Sequence, residues 1–403
     1  MKDFLKLKKK LFNEAIKNKE WIFIDIRTRD SFNGWKLNGE KYSGHIKRSI
    51  NIPFINFKND FEDMKKKSKE DLFSKINPIV ICHSNLTELL SISNYLKINN
   101  YENLYTLDMR NLKHYHINSL CYYKNYKILV PPQFTLNNNF KVFHVGFGDE
   151  EKTSSKGHIK NSIYINTDEL EPPPSWTMGS KETLIEVCKK YNISSTDKII
   201  VTAWNQMASF RVAAILLYIG VKDVRVLNGG LSYYSALDFP LSTEKTNVMH
   251  NNNINIGIFN PKGMIVSTNK LKRLLKRKNF TLVDNRTWLE HIGKVSGYSY
   301  HKKRARIPGA VYGYAGYSGA QSLDYYRNVD GTMKSKASIK ALWKQSNIKM
   351  TNNLTFMCGS GWRASEVYFY AKVLGYKNIS VYSDGFITWS KDPNNPTITG
   401  IPK

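Results

Sequence analysis

The chain repeats itself, and the repeat limits the folds that it can adopt. Two stretches align without a gap, and the pairs that mark this alignment are Ala203 with Cys358, Gly220 with Gly375, Gly230 with Gly385 and Tyr234 with Trp389. A more divergent copy precedes them, around Cys82. The residues of each pair are 155 positions apart. A repeat of this length indicates a duplicated domain rather than the short unit of a solenoid.

Within each copy, short apolar runs alternate with helical patterns. In the last copy, residues 282–284, 354–357 and 379–382 have strand character, and a helical pattern follows Cys358. Strands that alternate with helices predict a mainly parallel sheet with helices on both faces. The sequence therefore predicts an α/β protein of three tandem domains, with residues 1–125, 126–250 and 260–403, joined near 122–132 and 242–257.

The bulk composition is that of a globular protein. A length of 403 residues with 41% hydrophobic residues fits two or three domains. The longest apolar run, residues 212–219, is too short to span a bilayer, and the N-terminus lacks the pattern of a signal peptide. The four cysteines are widely spaced without a C-x-x-C pair, which argues against a metal site or a disulfide framework. We expect a cytoplasmic protein without a membrane partner.

The formal net charge of +27 has two interpretations. A strongly basic chain can bind nucleic acid, but here the lysines are spread along the sequence, without an arginine-rich patch. The distribution favours a generally basic surface and no nucleic-acid partner. A positive field would still assist the capture of small anionic substrates.

The stretch 354–365 places a thiol in a glycine-rich loop between a strand and a helix. Gly359 and Gly361 let the backbone turn sharply, and Arg363 adds a positive charge beside Cys358. A thiol at such a helix start is expected to ionise below the free value of about 8.5 and to act as a nucleophile. The alternative is a buried, inert cysteine. A core cysteine needs neither flanking glycines nor an arginine, so the reactive thiol is favoured.

Several motifs together resemble the rhodanese (sulfurtransferase) family. They are the Asp-x-Arg sequences at Asp25 and Asp284, the G-H-I elements at Gly44 and Gly157, the R-I-P-G-A element at Arg306, the cysteine loop and the D-G-F-x-x-W sequence at Asp384. The resemblance covers nearly the whole chain and is most specific in the third copy. It implies three rhodanese-like domains, similar to three-domain bacterial thiosulfate sulfurtransferases in which only the last domain is catalytic.

The resemblance also implies a chemistry. Cys358 would take a sulfane sulfur from a small anionic donor such as thiosulfate and become a persulfide. The surrounding anion cradle would consist of Gly359, Ser360, Gly361, Trp362 and Arg363. The sulfur would then pass to cyanide, a thiol or a protein cysteine, without a metal or an organic cofactor.

The first two copies depart from this pattern. Ala203 replaces the cysteine in the second copy, so this domain is predicted to be inactive. The loop of Cys82 lacks glycine and arginine, which makes a second nucleophile there the weaker alternative, and Cys121 and Cys188 are expected to be structural.

The loop around Ala203 is expected to face Trp362 across a domain interface. Candidates either for the pocket mouth or for ordinary packing are Trp288, Tyr298, Tyr300, Tyr314 and Tyr317.

Other activities remain open from the sequence. The C-G-S-G sequence at Cys358 is typical of mercaptopyruvate sulfurtransferases, although neither they nor the thiosulfate enzymes usually have Trp362 and Arg363 next to it. A phosphatase on a related fold uses a C-x5-R loop, whereas four residues separate Cys358 from Arg363 here. A non-enzymatic binding or scaffold protein is the third alternative, because two copies are degenerate.

Overall fold

The computed structural model describes residues 5–67, 73–137, 139–317 and 319–402. The chain divides into two compact units, Met1–Lys127 and Ile128–Lys403. The first unit holds the first repeat, and the second unit holds the other two. Among the described residues each repeat builds one five-stranded parallel sheet with helices around it, which confirms the predicted α/β class.

The first unit is built from short strands and five helices within the described residues. Its strands are β1 (Leu5–Lys6), β2 (Ile22–Asp25), β3 (His45–Ile46), β4 (Ile50–Asn51), β5 (Ile79–His83), β6 (Leu104–Asp108) and β7 (Leu120–Cys121). Its helices are α1 (Lys9–Ala15), α2 (Arg29–Asn33), α3 (Phe57–Lys67), α4 (Leu86–Ile98) and α5 (His114–Ile117). The strand order is β1-β6-β5-β2-β4, and β3 pairs separately with β7 in an antiparallel ladder.

The second repeat opens the second unit. Its strands are β8 (Leu129–Val130), β9 (Lys141–Gly146), β10 (Ile163–Asn166), β11 (Lys198–Thr202) and β12 (Asp223–Leu227). Its helices are α6 (Glu150–Ser154), α7 (Thr167–Leu170), α8 (Lys181–Lys190), α9 (Gln206–Ile219) and α10 (Gly230–Ala236). The strand order is β10-β9-β11-β12-β8.

The third repeat follows the same plan. Its strands are β13 (Ile265–Val266), β14 (Phe280–Asp284), β15 (Val311–Tyr312), β16 (Asn353–Met357) and β17 (Ile379–Tyr382). Its helices are α11 (Thr268–Leu274), α12 (Trp288–His291), α13 (Lys336–Gln345), α14 (Trp362–Val373) and α15 (Gly385–Trp389). The strand order, β13-β17-β16-β14-β15, matches those of the other two sheets once the strands are equated by their place in the repeat.

The centre of each sheet is the strand that leads to the cysteine position and, in the first repeat, also contains it. These strands are β5, β11 and β16, and their apolar side chains are buried because helices cover both faces of each sheet. In a parallel sheet the loops after the carboxyl ends of the strands are where ligands bind. The fold therefore places Cys358 in the loop that such sheets use for a site. In the described part of the chain, no helix has both the length and the apolar character needed to cross a bilayer.

The second and third repeats match in detail. The Ala203 carbonyl accepts a hydrogen bond from the amide of Leu231 at 3.0 Å, and the Cys358 carbonyl accepts the equivalent bond from Phe386 at 2.8 Å. The helices that follow the two loops, α9 and α14, pack against each other. At their contact the rings of Phe210 and Phe369 lie 5.6 Å apart. The two repeats thus meet through equivalent surfaces.

Candidate active site

Cys358 lies at the junction between β16 and the loop that leads into α14. Its side chain is buried, and its Sγ accepts a hydrogen bond from the amide of Gly361 at 3.2 Å. Helix α14 begins at the next residue, Trp362, and has 12 residues. An amide donor and the positive end of a helix both stabilise a thiolate more than a thiol. The arrangement therefore suits a nucleophilic sulfur.

The loop requires glycine at two positions, each for a different structural reason. A Cβ at Gly359 would lie 2.0 Å from the hydroxyl of Tyr298, so a side chain there would displace the tyrosine. Gly361 has a φ of 98°, a conformation that L-residues with a side chain rarely adopt, and a Cβ there would lie 2.6 Å from Nη1 of Arg211. Both glycines permit close approach of other side chains to the thiol loop.

Arg363 is held by a carboxylate behind the loop. Its Nη1 and Nη2 donate to the two carboxylate oxygens of Glu290 at 2.8 and 2.9 Å, and Nη2 also donates to the Tyr298 hydroxyl at 2.9 Å. Both charged side chains are buried. Burial alone would raise the pKa of the Glu290 carboxyl. The neighbouring Arg363 guanidinium lowers this pKa below its usual value. The positive charge of Arg363 is thus balanced within the protein and is partly neutralised by Glu290.

Glu290 was not foreseen as a site residue from the sequence. The available signal was local, because Thr287 and Glu290 form a capping box at the start of α12. That motif predicts a helix start but does not reveal that the same carboxylate binds an arginine 73 residues away.

The second repeat contributes a buried carboxylate to the loop. Nε1 of Trp362 donates to Oε2 of Glu171 at 2.6 Å, while Nε and Nη2 of Arg211 donate to Oε1 at 2.8 and 2.6 Å. Burial raises the pKa of Glu171, and its bonds to Arg211 and Trp362 oppose that shift. Trp362 therefore links the thiol loop to the preceding domain.

A cavity of about 410 Å³ opens beside the thiol. Its lining comes from the second and third repeats and consists of Phe147, Gly148, Thr167, Asp168, Glu171, Trp176, Met207, Tyr298, Tyr300, Ala320, Gln321, Cys358, Ser360, Trp362 and Arg363. Of the five aromatic candidates, Tyr298 and Tyr300 line the cavity and the other three do not. A small organic molecule fits this volume.

The expected contact between the Ala203 loop and Trp362 takes a different form. Gln206, at the start of α9, donates to Oε1 of Glu366 at 3.1 Å and to the Tyr370 hydroxyl at 3.2 Å, so this loop does face α14. Trp204 instead donates to the carbonyl of Gly157 in its own domain.

The other cysteines lie in different surroundings. Cys82 and Cys188 are buried, and burial raises the pKa of both thiols, that of Cys188 to about 12. Cys121 is half-buried, with its Sγ 3.1 Å from Nε2 of His45. A raised pKa opposes formation of the thiolate, so Cys82 is poorly suited to be a second nucleophile at neutral pH.

Comparison with known proteins agrees with the repeat. A model of the rhodanese-like domain matches three segments, residues 8–110, 106–237 and 267–392. The thiosulfate sulfurtransferase YnjE of Escherichia coli is 38% identical over 263 residues, which covers 65% of this chain and 60% of that relative. A putative thiosulfate sulfurtransferase of Haloferax volcanii is 24% identical over 252 residues, covering 61% of this chain and 84% of its own length.

Solved structures are similar over the whole chain. The anaerobic ergothioneine biosynthesis enzyme from Chlorobium limicola, solved with its natural substrate trimethyl histidine, has a TM-score of 0.89 and 27% identity, covering 99% of this chain and all of the other. An EanB variant with a cysteine persulfide and ergothioneine has a TM-score of 0.87 and 26% identity, covering 99% and 100%. From the three matched segments and the three equivalent sheets, we conclude that this chain belongs to the rhodanese family and contains three rhodanese-like domains.

Proposed function

We propose that this protein is a sulfurtransferase in which Cys358 carries the transferred sulfur as a persulfide. The observation that carries the proposal is the hydrogen bond from the Gly361 amide to Sγ at the start of α14, inside a cavity large enough for a small molecule. This environment favours the thiolate before transfer and a persulfide anion after it. The family and the sulfurtransferase relative from Escherichia coli support the same chemistry.

With thiosulfate as donor, the reaction has two halves. The Cys358 thiolate attacks the outer sulfur, the sulfur–sulfur bond of thiosulfate breaks, and sulfite leaves with the electron pair. Cyanide or a thiolate then attacks the outer sulfur of the persulfide and releases the Cys358 thiolate. Neither half needs an external oxidant or a cofactor.

We assign supporting roles to the rest of the loop. The amides that follow Cys358 stabilise negative charge on sulfur, and Ser360 lines the cavity beside it. Trp362 anchors the loop to Glu171 of the second repeat. Arg363 acts through its pairing with Glu290, which braces the first turn of α14, and its charge contributes to the field at the thiol.

A second candidate function is sulfur transfer to a carbon atom of trimethyl histidine. The observation that favours it is the cavity lining, in which aromatic side chains from two domains surround the space beside the thiol. Such walls suit an organic acceptor better than cyanide. In this reaction the carbon–hydrogen bond of the imidazole would break with loss of a proton, the carbon would bond to the outer sulfur of the persulfide, and the sulfur–sulfur bond would break. The electron pair of that bond would go to the Cys358 sulfur, which would take up the proton. The balance requires only the persulfide and the acceptor.

Steady-state kinetics with matched donors and acceptors test both candidates. Thiosulfate and mercaptopyruvate are compared with cyanide as acceptor, and the persulfide form is then mixed with trimethyl histidine and analysed for a thione product. We expect turnover with at least one pair and none for Cys358→Ser. Absence of turnover with every pair, together with no mass increase at Cys358, would leave the non-enzymatic binding protein as the better interpretation.

A further inference from the structure

A thiol and an imidazole lie in contact within the first unit. Cys121 and His45 are partners in the antiparallel ladder between β3 and β7, and Sγ of Cys121 lies 3.1 Å from Nε2 of His45. The two residues are 76 positions apart in the chain, so the sequence alone predicts only a structural Cys121. A cysteine within hydrogen-bond reach of a histidine is the arrangement of a nucleophile with its base.

The second ring nitrogen of His45 determines which nitrogen faces the thiol as an acceptor. Nδ1 lies 2.7 Å from the carbonyl oxygen of Phe32, which can only accept a hydrogen bond, so Nδ1 carries the proton. Nε2 then has a lone pair directed at Cys121, and the thiol donates to it. Burial lowers the pKa of the His45 imidazole, which leaves the ring neutral and ready to accept a proton at pH 7.

Packing holds the imidazole in this orientation. The His45 ring stacks on the ring of Phe32 with the centroids 3.5 Å apart and an angle of 5° between the planes. The ring of Tyr123 lies edge-on to it at 6.2 Å, and His45 is only 7% exposed. Cys121 is half-buried, so a part of this residue remains accessible to solvent. The base is therefore fixed beside a thiol that a small molecule can reach.

The equivalent bridges of the other two repeats show that the fold does not require this pair. His158 pairs with Ser242 in the second repeat, and Arg306 pairs with Ile398 in the third, each in an antiparallel bridge. The same bridge thus forms with a thiol, a hydroxyl or an aliphatic side chain. Only the first repeat combines a thiol with an imidazole at these positions.

We propose that Cys121 is a second reactive thiol and that His45 acts as its general base in thiol–disulfide exchange with small-molecule disulfides. The inference goes beyond the proposed function and does not rest on it. Cys121 lies in β7 instead of in a glycine-rich loop before a long helix, so its surroundings do not resemble the anion cradle proposed for Cys358. Disulfide exchange needs no such cradle, because it requires only a thiolate and an accessible sulfur–sulfur bond.

The exchange balances without a further reactant. As the Cys121 sulfur attacks one sulfur of the disulfide, its proton passes to Nε2 of His45. The sulfur–sulfur bond of the small molecule breaks, and its electron pair leaves with the released thiolate. That thiolate then takes the proton from the imidazolium. The products are a mixed disulfide at Cys121 and one small thiol.

The test measures the reaction of the full chain with 4,4′-dithiodipyridine at pH 7, in a Cys358→Ser background that removes the thiol of the glycine-rich loop. Absorbance of the released thiopyridone gives the rate, and peptide mass spectrometry locates the modified cysteine. The reference is a short unstructured peptide with one cysteine, whose thiol has a pKa of about 8.5. We expect Cys121 to react first and faster than this peptide, although a half-buried thiol without a base would react more slowly.

Replacement of the base separates activation from a structural role. We expect His45→Gln to slow the reaction of Cys121 about 100-fold, the lower end of what general-base catalysis contributes. If His45 only packed against Cys121, its replacement would loosen the ladder and make the thiol react faster. His114→Gln is the control and should leave the rate unchanged, because His114 is an exposed histidine on α5 of the same unit.

The buried thiols Cys82 and Cys188 report on folding in the same assay, because they react quickly only if the chain opens. An unchanged or increased rate at Cys121 in a His45→Gln variant with both of these thiols still slow would overturn the proposal. If His45→Gln exposes all three thiols, the comparison with the peptide decides. A Cys121 that reacts no faster than the peptide would overturn the proposal without any change to His45. Because every protein in the assay lacks the Cys358 thiol, the result is independent of whether Cys358 carries sulfur.

Discussion

The ion pair between Arg363 and Glu290 provides a quantitative test of how the thiol loop is supported. In Arg363→Met, Glu290 would keep its buried position but lose two charge-assisted hydrogen bonds, of 2.8 and 2.9 Å. The side chains of both residues are at most 1% exposed, so water does not replace the missing donor. Leaving one partner of a buried pair alone costs about 3–5 kcal/mol. We expect the free energy of unfolding to fall by that amount.

The assay is urea unfolding, with a double variant and a surface pair as controls. Arg363→Met combined with Glu290→Met removes both charges, and exchange of a buried pair for apolar side chains is often close to neutral, so most of the loss should be recovered. Lys245→Met breaks a pair with Glu151 whose side chains are 55% and 80% exposed. Exposed pairs contribute about 0–1 kcal/mol, so this control should change little.

The same variants report on the thiol. We expect Arg363→Met to slow the alkylation of Cys358 at a fixed pH and to lower kcat/KM with an anionic donor. A loss of unfolding free energy below about 1 kcal/mol would show that Glu290 is not left uncompensated, and would refute the argument from burial. An unchanged alkylation rate would assign the stabilisation of the thiolate to the loop amides alone.

Three further predictions follow from the same architecture. Cys358→Ser should abolish sulfur transfer and Cys82→Ser should retain most of it, and mass spectrometry after donor treatment should locate one added sulfur at Cys358; label at Cys82 alone would contradict this assignment. Residues 260–403 should fold alone but lose about 100-fold in kcat/KM, since half of the cavity wall is missing; activity equal to that of the full chain would disprove the supporting role of the second repeat. The pKa of His144 is lowered from 6.5 to about 3, by burial first and by His158 second, so protonation favours unfolding and stability present above pH 6.5 is lost as pH falls toward 3. At pH 5 the lowered pKa of His144 should reduce the free energy of unfolding, measured with urea, by about 2 kcal/mol. The free energy of unfolding of His144→Asn should fall less than that of the original protein between pH 7.5 and 5. An equal fall would place the acid sensitivity elsewhere.

The fold followed from the sequence because its signals are local. Each repeat carries its own apolar strands, and the alignment of Ala203 with Cys358 needs no knowledge of distant contacts. The loop of Cys358 was equally predictable, since a glycine-rich turn between a strand and a helix has few possible geometries.

The partners of that loop were not predictable in the same way. Trp362 binds Glu171, which is 191 residues away in the chain, and Arg363 binds Glu290, which is 73 residues away. Neither carboxylate differs from a surface acid in its local sequence, so only the assembled fold reveals that it is buried. The charge balance of the cavity is a property of such pairs.

Gln206 shows a structural role for the second repeat, in which Ala203 stands at the cysteine position. It occupies the position that corresponds to Gly361, and its amide donates to the carbonyl of Gly331 at 2.9 Å as well as to α14. The loop around Ala203 is thus part of the surface that packs against the third repeat. We expect Ala203→Cys to acquire no sulfur from a donor, as judged by mass spectrometry. The second repeat supplies part of the wall beside Cys358, and a cysteine at position 203 would still lie three residues before a glutamine whose side chain binds α14.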